Sequence, residues 1–191
     1  KIARDAAANY NIILVHGAEI TRSMPPGHLN ALFITDADSL DKPDFMKVIE
    51  AAIRQGAFIQ YNHPGWKAQQ PDGIPRLYPV HKELIAKGWL HGIEYFNEFE
   101  TYRNDTVMEM CRENKLAVMG NSDIHDVISE TYMEPEHTHR PVTLVFAKER
   151  TMESLREALF AGRTAVWHGD SLAGFGQFTG PLFRAAVKAN V

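Results

Sequence analysis

The chain has 191 residues, with 20 Lys and Arg against 24 Asp and Glu, a formal charge of −4 with histidine neutral. Hydrophobic residues at 45% and charged residues at 23% exclude disorder as the main state and suit one domain with a sizeable core. Mild acidity argues against a broad nucleic-acid surface; the single cysteine, Cys111, excludes an internal disulfide framework and thiolate metal clusters, and no apolar run reaches the length of a membrane span.

Residues 1–9 (KIARDAAAN) read as helix, but without an initiator Met, an N-cap or a preceding strand, so the sequence predicts a chain entered partway. Residues 11–20 (NIILVHGAEI) form an apolar strand. After the Pro25-Pro26-Gly27 turn, residues 29–35 (LNALFIT) form a second extended run. Asp41 is placed to cap a helix whose Phe45, Ile49, Ala52 and Ile53 fall at i, i+4, i+7 and i+8, stopped by Gly56. A strand over 57–62 (AFIQYN), a long loop over 65–79, a short helix over 81–87 and a strand over 92–96 follow.

A helix over 106–114 then precedes strand 115–120 (KLAVMG), and 126–140 is a second polar loop. Strand 142–147, a helix over 152–161 with Gly162 just past its end, and strand 164–167 complete the alternation. Residues 169–191 read as a C-terminal extension of one 1–191 domain, with a short helix starting near Leu182. Repeated β–α order with short continuous apolar strands predicts an α/β fold on a mainly parallel sheet, barrel-like or doubly wound. Its functional groups should gather where strands end.

Metal-capable side chains stand at such places. Glu19 ends the first strand, His63 follows the third, Asp123 and His125 follow KLAVMG, and His28 opens the LNALFIT run. Asp123 and His125 are two apart, so extended backbone points both to one face. Imidazole and carboxylate together suit zinc, manganese or iron, and a carboxylate such as Glu19 or Asp123 can bridge two cations. Taken alone, His63 reads as structural and Glu19 as a turn cap; five such groups at the ends of separate elements favour a metal site. His16 reads as a core or supporting group in mid-strand. His81 and His91 read as surface or capping residues, and His137 and His139 as solvated or substrate-facing loop residues. His168 stays open between these roles. Cys111 reads as a small buried hydrophobe. Tyr61 and Trp66, flanking His63, form either a substrate wall or core packing.

Gly17-Ala18-Glu19-Ile20-Thr21, Gly27-His28-Leu29-Asn30, Asn62-His63-Pro64-Gly65, Gly92-Ile93-Glu94 and Asn121-Ser122-Asp123-Ile124-His125 together resemble the PHP family, the polymerase and histidinol phosphatase superfamily of metal-dependent phosphoesterases. The order and approximate spacing match from about residue 10 to residue 167. The resemblance implies a distorted (β/α)7 barrel with two or three divalent metals at the strand ends. Glu19 would be the bridging carboxylate, with His28, His63, Asp123 and His125 as ligands. The family's opening His-x-His, with the acidic residue and His that follow it, has no place before Glu19. The expectation is therefore a barrel incomplete at its N-terminus, with those groups encoded upstream of Lys1; the alternative is a shortened, inactive relative.

The implied chemistry is hydrolysis of a phosphate ester, with metals neutralising phosphate oxygens and activating water. Asp123 and His125 are the catalytic candidates. Arg22 is placed for a bidentate phosphate contact, its alternative being a solvated surface arginine. An amidohydrolase-like C–N hydrolase and a non-catalytic PHP-like binding module are the rival readings. The expected partner is a small phosphorylated substrate rather than long nucleic acid or a membrane, with loops 65–79 and 126–140 setting specificity.

Overall fold

The computed structural model describes residues 2–97, 105–128 and 139–187. Five short strands, β1 (Gly17–Ile20), β2 (Leu29–Leu32), β3 (Phe58–Tyr61), β4 (Gly92–Asn97) and β5 (Ala117–Asn121), form one sheet in chain order. The pairing β1–β2–β3 is antiparallel, while β3–β4–β5 is parallel. A second, antiparallel sheet holds β6 (Val142–Val145), β7 (Thr164–His168) and β8 (Ser171–Gly174). The expected mainly parallel sheet is thus a mixed one. The connections through α3 (Pro79–Ala86) and α4 (Asp105–Asn114) return the chain in the same direction, whereas the β2–β3 connection, although it too carries a helix, brings it back antiparallel.

The apolar periodicity reaches the core as its spacing requires. In α2 (Phe45–Arg54), Val48, Ile49 and Ala52 are buried against Leu29, Ala31, Ile59 and Ile93 of the sheet, and Leu84 of α3 with Val107 and Cys111 of α4 joins them. Strand β3 is buried at all four positions, as its continuous apolar run requires for a strand covered on both faces. Cys111 is the buried hydrophobe its stripe predicts, with burial pushing its thiol up to about 12.

Several boundaries differ from expectation for local reasons. Asp44, not Asp41, caps α2, its side chain accepting from the Lys47 N–H at 3.0 Å; Pro43 disfavours helical backbone at Lys42 and so pushes the start past it. The 11–20 run is a strand only over its last four residues. The β1–β2 ladder ends where Phe33 turns to φ 67 after Leu32, leaving Ile12 58% and Leu14 43% exposed. In the tail, β8 pairs with β7, and the helix expected near Leu182 begins earlier, as α6 (Gly176–Ala186).

The second sheet meets the first through hydroxyls. Thr164 Oγ1 accepts from the Val118 N–H at 3.1 Å, and Thr143 Oγ1 accepts from the Gly120 N–H at 2.9 Å. These side chains serve β5 amides where a further strand's carbonyls would otherwise stand. Gly120 lets β7 approach: a Cβ there would lie 2.4 Å from Val166 Cγ1. Helix α5 (Met152–Phe160), capped by Thr151 accepting from the Ser154 N–H, buries Ala158 and Leu159 beside it.

Candidate metal centre

The antiparallel meander assembles half of the site. Its register sets Glu19 opposite Asn30, two residues beyond His28, so both approach the end of the sheet where β3 finishes. The Asn62 N–H then donates to the His28 carbonyl at 2.9 Å, which brings the next residue, His63, alongside. The parallel strands supply the rest. Asp123 follows β5 by two residues, as His63 follows β3, and β4 between them contributes Glu94 and Asn97. His63 at φ 27 and Asp123 at φ 50 hold backbone that side chains other than glycine seldom adopt, and such strain gathers at functional sites.

Glu19, Thr21, His28, His63, Trp66, Asp123 and His125 line a cavity of about 380 Å³. His28 Nδ1 lies 2.9 Å from Glu19 Oε1 and 2.9 Å from His63 Nε2, and Thr21 Oγ1 donates to Glu19 Oε1 at 2.8 Å. The other ring nitrogen of His63 faces carboxylates, Glu94 Oε2 at 3.4 Å and Asp123 Oδ2 at 3.7 Å. Glu94 is 1% exposed yet fully engaged. It accepts from the His63 backbone N–H, from Asn97 Nδ2 at 3.3 Å and from Asn121 Nδ2 at 2.5 Å. A buried carboxylate with that many donors is satisfied and fixes the His63 ring, as carboxylates behind metal-binding histidines do.

Burial pulls the His28 pKa down, and neighbouring His63 pulls it further, against the opposing charges of Glu19 and Asp123. Burial also pulls His63 down, but its hydrogen bond to Glu94 and the charges of Glu94, Asp123 and Glu19 outweigh that and raise it. Two adjacent imidazoles are therefore driven apart in proton affinity by their carboxylates.

The expected ligands Glu19, His28, His63 and Asp123 meet at this cavity. His125 stands at its rim, 79% exposed, with Nδ1 2.7 Å from the Asp123 carbonyl. Arg22 is absent from the lining and its guanidinium is bound elsewhere, donating to the Thr21 and Lys42 carbonyls at 2.8 Å each. Among the described residues, neither arginine nor lysine lines the cavity. Trp66 does line it, with its ring centroid 5.4 Å from His28 and 5.5 Å from His63, whereas Tyr61 is buried core, stacked on His81 at 4.2 Å.

The remaining histidines divide differently from expectation. His16 is exposed outside β1, its Nδ1 2.9 Å from the Ile34 carbonyl. His81 is a capping residue, as one of its two expected roles had it, but a fully buried one: Nδ1 accepts from the Tyr78 N–H at the start of α3, and Nε2 lies 2.7 Å from the Pro26 carbonyl. His91 is no surface residue either, because Nδ1 accepts from the Ile59 N–H at 2.9 Å inside the sheet. His139 and His168 lie near Trp167 and Phe96, away from the cavity, and His137 falls outside the described residues. The contributors that residue-by-residue reading passed over are Glu94, Asn97, Asn121 and Gln69. The signal for Glu94 was a lone acid inside an apolar strand, GIEYFN.

Whether these groups suit a divalent cation is a question of chemistry and spacing. Among the described residues no three His, Cys, Asp or Glu side chains stand in ligating positions as they are. His28 Nδ1 sits 2.9 Å from both Glu19 Oε1 and His63 Nε2, where tetrahedral ligands about 2.1 Å from zinc stand about 3.4 Å from one another. Closing that difference takes about 0.5 Å of side-chain movement. The donor set itself, two imidazoles and two carboxylates in a cavity that no described lysine or arginine lines, is one that a hard or borderline divalent ion satisfies.

No protein-family model and no curated protein matches the chain. Among solved structures, a two-domain protein containing a predicted PHP-like metal-dependent phosphoesterase, from Bacteroides vulgatus ATCC 8482, is similar over 98% of this chain, with a TM-score of 0.92 and 40% sequence identity. The likeness shows the fold. The chain spans 54% of that protein's length.

Proposed function

We propose that the chain is a PHP-superfamily metal-dependent phosphoesterase that hydrolyses a small phosphate ester, its two sheets being segments of that superfamily's distorted (β/α)7 barrel. The observation that carries this reading is the convergence of Glu19, His28, His63 and Asp123 on one cavity that, among the described residues, no lysine or arginine lines. The 40% identity to a protein with a predicted PHP-like phosphoesterase supports it. An anionic substrate entering past two carboxylates needs positive charge from elsewhere, and bound cations are the largest local charges such a site can recruit.

Glu19, His28 and His63 would hold one divalent ion, zinc or manganese, with iron a third choice; Asp123 would hold a second or share the first. The ion supplies Lewis-acid charge against phosphate oxygens and acidifies water. The protein's own groups do the rest. Glu94 orients His63, and Trp66 walls the cavity against water on one side. Rim-exposed His125, its Nδ1 steered by the Asp123 carbonyl, is free to pass a proton to the departing alkoxide through Nε2.

The test is turnover of p-nitrophenyl phosphate by the full chain, before and after chelation and in Asp123→Asn, which keeps the left-handed backbone accessible. Metal-restored turnover that chelation and the substitution both abolish supports the reading. Turnover that survives chelation contradicts it, and saturable metal binding without turnover of mono- or diester favours the binding module.

A further inference from the structure

Beyond the ligands, one neutral side chain touches the cluster. Gln69 Nε2 lies 3.0 Å from His28 Nε2, on the ring edge away from Glu19 and His63. Its position is well fixed: the Gln69 and Gln70 N–H groups both donate to the Trp66 carbonyl, at 3.0 and 2.7 Å, and Gln70 Oε1 accepts from the Tyr78 hydroxyl at 2.7 Å. The far end of the Gln69 amide, Oε1, is buried with no hydrogen-bond partner. Nothing on that side holds the amide one way round, so His28 alone decides which of its two ends faces the ring.

The choice matters because a neutral imidazole carries one proton. With the amide NH2 on Nε2, that nitrogen accepts, the proton sits on Nδ1, and Nδ1–H points at Glu19 and His63. With the amide turned half a revolution, Oε1 accepts from Nε2–H and the lone pair of Nδ1 is released toward Glu19 Oε1 and His63 Nε2. His63 is fixed in the same sense from its other nitrogen, whose neighbours are the Glu94 and Asp123 carboxylates. The turned amide therefore leaves three lone-pair atoms meeting with no proton between them, which only a cation can satisfy.

Resting on the cation reading above, we infer that Gln69 is a positioning residue that locks His28 in its Nε2–H tautomer and thereby opens Nδ1 to the divalent ion. A glutamate at this place can only accept, so it enforces the same tautomer; a leucine enforces none.

The experiment combines 15N NMR of the imidazoles with zinc calorimetry on the full chain, for wild type, Gln69→Glu and Gln69→Leu. In zinc-loaded wild type the His28 Nε2 carries the proton and Nδ1 shows the metal-bound shift. Gln69→Leu mixes the tautomers and weakens zinc binding about 10- to 100-fold, the range found when such supporting partners are removed. Gln69→Glu keeps the wild-type ring signature and restores the affinity, which a merely structural role for the loop would not produce. Wild-type zinc binding left unchanged by Gln69→Leu, with unaltered ring shifts, overturns the inference alone. No saturable zinc binding by wild type overturns the cation reading and this inference together.

Discussion

His91 shows how far one side chain departs from its sequence neighbourhood. Flanked by a helix end and a strand start, it looks like a surface residue, yet its Nδ1 is the acceptor for the Ile59 N–H and its ring stacks on Phe58 at 5.4 Å. Burial drives its pKa down from 6.5 to about 4, the nearby Arg156 adding to this against a backbone hydrogen bond. The unfolded chain therefore takes up a proton at higher pH than the folded one. The stability contributed by neutral His91 is full above about pH 6.5 and is lost as the pH falls toward 4. At about 1.4 kcal/mol for each tenfold difference in proton affinity, the loss reaches about 3 kcal/mol. Buried His81, whose pKa burial also lowers, acts in the same direction. Urea unfolding at stepped pH measures it: wild type loses stability between pH 6.5 and 4 more steeply than His91→Gln, and equal slopes would contradict the assignment. The metal-capable residues were legible at this scale because Glu19, His63, Asp123 and His125 each sit where an apolar run stops. The inward setting of His81 and His91 was not, because it depends on a partner distant in sequence, Pro26 for one and Ile59 for the other.

Among the elements, β5 carries the most constraint. It pairs with β4 on one edge, gives its Val118 and Gly120 amides to threonine hydroxyls, and delivers Asp123 two residues past its end. Gly120 is what allows β7 so close. Gly120→Ala drives a methyl into Val166 at 2.4 Å, and overpacking of this kind costs about 1–3 kcal/mol. Chemical denaturation should show that loss in Gly120→Ala and most of it recovered in Gly120→Ala with Val166→Ala; an additive pair would place the strain elsewhere. Strand and helix identity followed from periodicity, as α2, β3 and β5 show. Direction did not. That β2 runs antiparallel to both neighbours involves two unlike connections, a short one through Pro25-Pro26-Gly27 and a long one over residues 33–57 that carries α2. A helix in the connection does not by itself signal a parallel pair, and apolar runs of four residues look alike in either direction. The seam at β5 was equally hidden, because Thr143 and Thr164 read as ordinary strand residues until their hydroxyls are seen to serve another strand's amides.

Across the whole molecule, a net charge of −4 and a cavity lined by two carboxylates suit the proposed meeting of an anionic substrate through a recruited cation rather than a basic surface. Fold and site agree in this: the meander brings Glu19, His28 and His63 together, the parallel strands add Glu94 and Asp123, and the long 65–79 loop closes one side with Trp66 and Gln69. The measurement closest to that claim is zinc or manganese calorimetry on chelator-treated full chain, repeated for Glu19→Gln and His63→Ala with circular dichroism to confirm folding. The account predicts saturable binding by wild type that both substitutions abolish while the fold is kept. Binding of equal strength in the folded variants, or none in wild type, would contradict it.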